Sequence, residues 1–261
     1  MLSSAETLVL IHPIGNDRRS WQFVELDAFA HPPVAFYEMP GHGRKPRQPG
    51  MTTAWMADQL LDEFDGLLHL LGIAVGAHVA LNALVRQPER ILSAILVNGS
   101  RGGTSSANAR QTLFDRAQQA IDHGMPSVID ETFGRWFTPR AQQTNPPGVQ
   151  LARQTLLEMD PWGWSDIWRA NATSEPVPDE RFGRIAQPVS LVAAIDDATG
   201  APTNSARLHE LIPVSRLQYV PGPHMLHLER PRSLSSAIDH HFTWLHVSAS
   251  RVEPSLYFAG E

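Results

Sequence analysis

A chain of 261 residues is long enough to fold as one large α/β domain around a substantial core. Its composition, 42% hydrophobic and 18% charged, is that of a soluble globular protein, and no apolar run approaches the roughly 18 residues that cross a bilayer. A formal net charge of -6 without a run of lysine or arginine opposes phosphate backbones and excludes nucleic acid as an expected partner, while the absence of cysteine excludes disulfides, thiolate metal sites and a cysteine nucleophile. The N-terminus lacks the basic segment of a secretory signal, so the cytoplasm is the expected location. Lys45 is the only lysine, which leaves Schiff-base chemistry a single candidate in a Pro- and Arg-rich loop.

In chain order, short β-branched or apolar runs at residues 7–11, 34–37, 67–71, 91–97, 189–194 and 217–220 read as strands, and they alternate with segments of helical period. That alternation predicts a parallel, doubly wound sheet. Residues 53–70 carry a helical stripe of Trp55, Met56, Leu60, Phe64, Leu67 and Leu68, and a second helix is expected over 75–86. Between residues 99 and 184 the strand rhythm stops and helical pieces rich in aromatics take over, which reads as a cap. The expected organisation is therefore a core of residues 1–100 and 185–261 with a helical cap, 101–184, inserted in it.

The segment from His69 to Leu81 joins a buried strand to a helix through Gly72-Ile73-Ala74-Val75-Gly76. A Gly-x-Ser-x-Gly elbow holds one side chain on a strained strand-to-helix turn, where flanking glycines remove Cβ atoms that would collide with neighbouring backbone. Alanine stands here at the nucleophile position. Ala74 has no nucleophilic atom, so no acyl intermediate can form on it, and in a worked protease case loss of the triad serine costs on the order of a millionfold.

Four blocks together resemble the α/β-hydrolase fold superfamily over nearly the whole chain. They are Leu8-Val9-Leu10-Ile11-His12-Pro13-Ile14-Gly15, then Pro40-Gly41-His42-Gly43-Arg44, the elbow with Arg86-Gln87-Pro88-Glu89-Arg90 after it, and the stretch from Pro221 to Pro231 that contains Gly222-Pro223-His224. Within that superfamily, Arg135-Trp136-Phe137-Thr138-Pro139 and Leu157-Glu158-Met159-Asp160-Pro161-Trp162-Gly163 resemble the cap of 3-oxoadipate enol-lactone hydrolases. One departure concerns architecture. Family members begin with two further strands before the His-Gly loop, so a six-stranded sheet with residues 34–37 at its edge is expected, and an open edge is a place where a second protomer could pair.

The resemblance implies a carboxylic-ester hydrolase, of lactonase type, with a Ser-His-Asp triad whose serine position is Ala74. His224 would be the base, with His227 the nearest competitor, and Asp197 the orienting acid, with Asp196 its rival. The amides of Ile14 and Val75 would form the oxyanion hole, since Pro13 cannot donate. His12 and Asn16 either shape that loop or touch substrate. Trp136, Phe137, Met159, Trp162 and Trp164 would roof an apolar pocket. The implied ligand is a small, largely apolar ester or lactone of enol-lactone or acyl-homoserine-lactone type, handled by a monomer or homodimer without metal or cofactor. Two other readings stay open: a serine-less lyase, cyclase or cofactor-free oxygenase that uses the His–Asp pair as a base, and a binder that has lost the chemistry.

Overall fold

The structure, a computed structural model, describes residues 6–27, 30–104 and 106–250. Six strands form one sheet: β1 (Glu6–Ile11), β2 (Val34–Tyr37), β3 (Leu67–Ile73), β4 (Ile91–Val97), β5 (Val189–Ala194) and β6 (Ser215–Val220). Their spatial order is β2-β1-β3-β4-β5-β6, and every neighbouring pair is parallel. This is the expected α/β-hydrolase architecture, with β2 at the edge. The central strands are nearly continuous apolar runs because helices cover both faces.

Side chains alternate along β1 and so divide the core. Val9 and Ile11 join α1 (Thr53–Glu63) and α2 (Val75–Arg86) on one face, whereas Leu8 and Leu10 join the last helix of the chain on the other. The helical stripe expected over 53–70 is cut short. Thr52 caps α1, accepting the Trp55 amide at 3.1 Å, but the helix ends at Glu63, the chain turns at Gly66 with φ 79°, and Leu67 and Leu68 enter β3 instead. Apolar residues at that spacing satisfy a helix and a buried strand equally, and the glycine turn decides between them.

Between β4 and β5 the described chain is helical: α3 (Ala107–His123), α4 (Ile129–Trp136), α5 (Pro139–Thr144), α6 (Pro147–Glu158), α7 (Pro161–Thr173) and α8 (Asp179–Phe182). Proline at the first positions of α5, α6 and α7 starts those helices where a missing N–H costs nothing. After β5 come α9 (Ala201–Leu211), α10 (Leu226–Glu229) and α11 (Pro231–Ser250). No helix among the described residues is long and apolar enough to cross a membrane.

Helix α11 is fastened to the sheet by a buried polar ladder. His69 Nδ1 of β3 meets Ser93 Oγ of β4 at 2.7 Å, Ser93 Oγ lies 2.8 Å from His241 Nε2, and His241 Nδ1 lies 2.7 Å from Ser190 Oγ of β5. Burial, reinforced by His69, pushes the His241 imidazole down to about 3. Burial likewise pushes His42 and His227 to about 3 and His78 to about 4. Each of these rings is neutral in the folded chain and takes a proton near pH 6.5 once unfolded, so the unfolded state binds more protons below that pH. Stability is then complete above about pH 6.5 and declines as the pH falls towards the folded values. The free energy of urea unfolding is expected to drop by up to about 1.4 kcal/mol per pH unit for each such histidine between pH 6 and 4. A His241→Gln chain should show a shallower slope, and a flat profile over that range would refute the account.

Candidate active site

The strained turn comes first. Strand β3 ends at Ile73 and α2 begins at Val75, and Ala74 between them takes φ 52° and ψ -113°, a conformation that costs a non-glycine residue about 1–3 kcal/mol. The turn persists because its neighbours fix it. The Ala74 amide donates to the Val97 carbonyl at 2.9 Å, and the Ala74 carbonyl accepts from Ala77 and His78 at 3.0 and 3.2 Å. A Cβ at position 72 would lie 2.2 Å from the Gly76 carbonyl oxygen, and one at position 76 would lie 2.3 Å from that of Ile11. Only glycine fits either place.

Beyond β6, the loop 221–225 carries His224 to the same end of the sheet. Its Nδ1–H donates to Asp197 Oδ2 at 2.7 Å, and the Thr199 amide donates to the other carboxylate oxygen at 2.6 Å. The Asp197 side chain is fully buried. Burial alone would raise its pKa, but hydrogen bonds from His224 and Thr199 and the proximity of the imidazole outweigh that effect and hold it below the ordinary carboxylate value. With Nδ1 so engaged, Nε2 is the nitrogen left for a reacting group. Asp196 faces elsewhere: its exposed carboxylate accepts the Gly222 amide at 3.1 Å and steadies the histidine loop. His227 is sealed in the core against Trp21, its ring nitrogens without partners among the described residues.

A residue that sequence reasoning missed ties these loops together. Asn98, in the left-handed region at φ 49°, accepts the Ala194 amide at 2.8 Å and donates to the His224 carbonyl at 2.8 Å. It therefore links the ends of β4 and β5 to the histidine loop. The available signal was Asn98-Gly99 directly after a strand, a pair suited to positive φ.

Ala74, His224, Ile14, Val75 and Trp136 all line one cavity of about 270 Å³, with Asp197 behind the histidine. The loop bearing Ile14 is shaped by two buried imidazoles. His12 Nδ1 donates to the Pro13 carbonyl and its Nε2 accepts the Met39 amide at 3.0 Å; His42 Nδ1 donates to the Pro40 carbonyl and its Nε2 accepts the Gly15 amide at 3.1 Å. Asn16 donates to the Ile14 carbonyl at 3.2 Å. His12 and Asn16 thus bond backbone, that of their own loop and, through His12 Nε2, that of Met39 beyond β2.

Four of the five expected roof residues do not reach the cavity. Phe137 is buried against Phe133 and Trp136, and Trp164 is wholly buried, with its Nε1–H donated to the Arg116 carbonyl at 3.2 Å. Met159 borders a separate depression near Gly15 and Arg47, and Trp162 is 52% exposed beneath the Arg47 guanidinium. These aromatics serve helix packing or the outer surface. Trp168, not singled out for this role from sequence, takes the lining place beside Trp136.

The wall also carries charge that the sequence pattern hid. Arg116 of α3 and Arg135 of α4 both line the cavity and both lie over the Trp168 ring, at 5.3 and 5.5 Å. They share one carboxylate, Glu131, at 3.0 and 3.8 Å. Burial first, then repulsion from Arg116, pulls the Arg135 guanidinium down to about 10 despite Glu131. Nineteen positions apart in the chain, the two never form a cluster in sequence.

With this geometry in place, the sequence profile described as "Alpha/beta hydrolase family" matches residues 8–237. The chain belongs to the alpha/beta hydrolase family. It is 22% identical over 232 residues to 3-oxoadipate enol-lactonase 1 of Acinetobacter baylyi, covering 87% of this chain and 85% of that protein. Among solved structures, the enol-lactonase from Burkholderia xenovorans LB400 superposes with a TM-score of 0.83 at 20% identity, covering 92% of each chain. A thermophilic esterase from Thermogutta terrifontis, solved with malate bound, gives 0.82 at 22% identity, with 94% of this chain and 91% of that one covered. At such identities the structural likeness establishes the fold.

The elbow's packing makes a direct test possible. Gly76→Ala forces a Cβ against the Ile11 and His12 carbonyls, and it is expected to lower the urea-unfolding free energy by about 3 kcal/mol or more. Arg86→Ala, at the exposed end of the same helix and in a surface ion pair with Asp58, should cost far less. Equal losses would show that the turn is not as tightly fixed as described.

Proposed function

We propose that this alpha/beta hydrolase is built as a carboxylic-ester hydrolase of lactonase type, with residues 101–184 as its cap, and that it stands here with its nucleophile position inactivated by alanine. The observation that carries the reading is the pairing of a strained, positive-φ residue at position 74 with an imidazole held by a buried carboxylate, both opening on one cavity. Burial of one methyl group does not require a conformation of this kind, whereas the same conformation would aim a hydroxyl into the cavity.

In the serine form, the side chain at 74 attacks the ester or lactone carbonyl while His224 Nε2 takes its proton. Asp197 fixes the tautomer of His224 and stabilises the imidazolium as it forms. The Val75 amide, at the N-terminus of α2, and the Ile14 amide receive the oxyanion. His224 then returns the proton to the leaving oxygen, and water repeats the sequence to release the acid.

The Arg116–Arg135 pair revises the expected ligand. Two guanidinium groups with one shared carboxylate leave an uncompensated positive charge on the cavity wall, and a substrate carboxylate would complete it. An anionic enol-lactone or half-ester suits this wall better than a neutral acyl-homoserine lactone. The esterase with bound malate, a dicarboxylate, is in keeping with that preference.

The decisive variant is Ala74→Ser. Hydrolysis of small aryl esters and of carboxylate-bearing lactones should rise by roughly 1000-fold or more, and Asp197→Asn in that background should remove most of the gain. Arg135→Ala in the same background should raise KM for a carboxylate-bearing ester about 10- to 100-fold and leave the uncharged methyl ester little changed, the loss expected for one charge-assisted hydrogen bond. Ala74→Ser without any gain in hydrolysis would overturn the proposal.

A further inference from the structure

A serine–histidine contact on the same cavity takes no part in the chemistry of position 74. Ser100 Oγ lies 2.8 Å from His78 Nε2, and the Ser100 amide also donates to that nitrogen at 3.3 Å. A ring nitrogen that accepts an N–H carries no proton, so the hydroxyl proton is directed at Nε2 and the neutral ring holds its own on Nδ1. Burial, followed by repulsion from His224, pushes His78 to about 4, which keeps the Nε2 lone pair available at neutral pH. The serine oxygen is addressed from a second side: the Gly102 amide donates to it at 3.2 Å, in a loop that Gly102 turns at φ 76°. That N–H fixes the position of Oγ and leaves its proton directed at Nε2.

A purely structural role would leave a different pattern. The loop- and helix-fastening histidines His12, His42 and His241 each engage both ring nitrogens. His78 engages only Nε2, and its buried Nδ1 has no partner among the described residues. Ser100 and His78 are both half-buried, and both line the cavity that holds Ala74 and His224.

We propose that Ser100 is a second nucleophile of this cavity, with His78 as its general base, and that it takes acyl or phosphonyl groups from small activated esters while alanine occupies position 74. The inference rests on the reading that the cavity admits esters. With an ester, Ser100 Oγ bonds to the acyl carbon as its proton passes to His78 Nε2, and the bond from that carbon to the alkoxy oxygen breaks as the leaving oxygen takes the proton; with a fluorophosphonate, Oγ bonds to phosphorus as the phosphorus–fluorine bond breaks, and fluoride leaves with that proton. Water then gives a proton to Nε2, its oxygen bonds to the acyl carbon, and the carbon–Oγ bond breaks to restore the serine hydroxyl. A base of such low pKa, with no carboxylate behind it, assists both halves weakly; the activated leaving group carries the first half forward, the poorer serine leaving group does not do so for the second, and the adduct accumulates.

The test incubates the unaltered chain with p-nitrophenyl acetate and, separately, with a small fluorophosphonate, and reads intact mass and peptide maps. One adduct on the peptide containing Ser100 is expected, absent in Ser100→Ala and formed about 100-fold more slowly in His78→Gln, the scale of one general base. Ala74→Ser run in parallel reports entry of the probe by modification at position 74. If that variant is modified while the unaltered chain is not, the second nucleophile is overturned and the elbow reading stands. If the unaltered chain is modified at Ser100 and the variant is not modified at position 74, the converse holds. No adduct in either chain overturns both.

Discussion

The contact on which the site depends is the meeting of three backbones at the end of β3. Glycine at 76 lets the first turn of α2 rest against the Ile11 carbonyl, and glycine at 72 lets β3 pass beneath that turn. A methyl group at either place would move the helix away from the strand end by more than a bond length's tolerance. Because β1 runs straight into the loop that bears Ile14, this one contact sets both the bend at Ala74 and the separation of the two amides assigned to the oxyanion. The positive φ at Ala74 is a consequence of that crowding rather than a preference of the residue.

Polar bonds between loops then bring the remaining groups to the bend. Asn98 reaches from β4 to the His224 carbonyl, Asp196 holds the Gly222 amide, and the Met225 amide donates to the Trp136 carbonyl at 3.1 Å. Glu229 accepts both the amide and the hydroxyl of Thr138, which caps α5. The histidine loop is therefore bonded to the sheet on one side and to the helices between β4 and β5 on the other. The bonds of Asn98 and Asp196 act beyond the ends of β4 and β5, where parallel sheets place their ligand sites because the crossover helices begin there and leave a crevice.

The same distinction explains what could be read from the chain. Strands were legible because β1, β4 and β5 are buried on both faces and admit little but apolar residues, and α2 was legible because a glycine-flanked turn starts it. Where two periods fit one stretch, as at Phe64, Leu67 and Leu68, only the tertiary position of Gly66 separates helix from strand. The pairing of Asp197 with His224 was legible only through the family resemblance, which places an acid in the loop after β5 and a histidine in the loop after β6. The cavity wall was not. Trp164 and Trp168 lie one helical turn apart on α7, both buried and both against Arg116 of α3, yet only Trp168 borders the cavity, a difference that nothing in their local sequence marks. Arg116 and Arg135 belong to different helices, so their convergence exists only after folding.

That convergence has an energetic cost. Two guanidinium groups drawn into a partly dry wall lose hydration that a single glutamate replaces only in part, and Arg135 registers the deficit in its lowered pKa. Stacking both on the Trp168 face offsets some of the loss without neutralising the charge. The strain at Ala74 is a second local cost, offset by the hydrogen bonds that fix the turn and by burial of the residue in the core. The proposed substrate carboxylate would supply the counter-charge that Arg116 and Arg135 lack, while the hydrogen bonds that fix the turn hold the side chain at 74 on the same cavity, so that neither feature would need to move on binding.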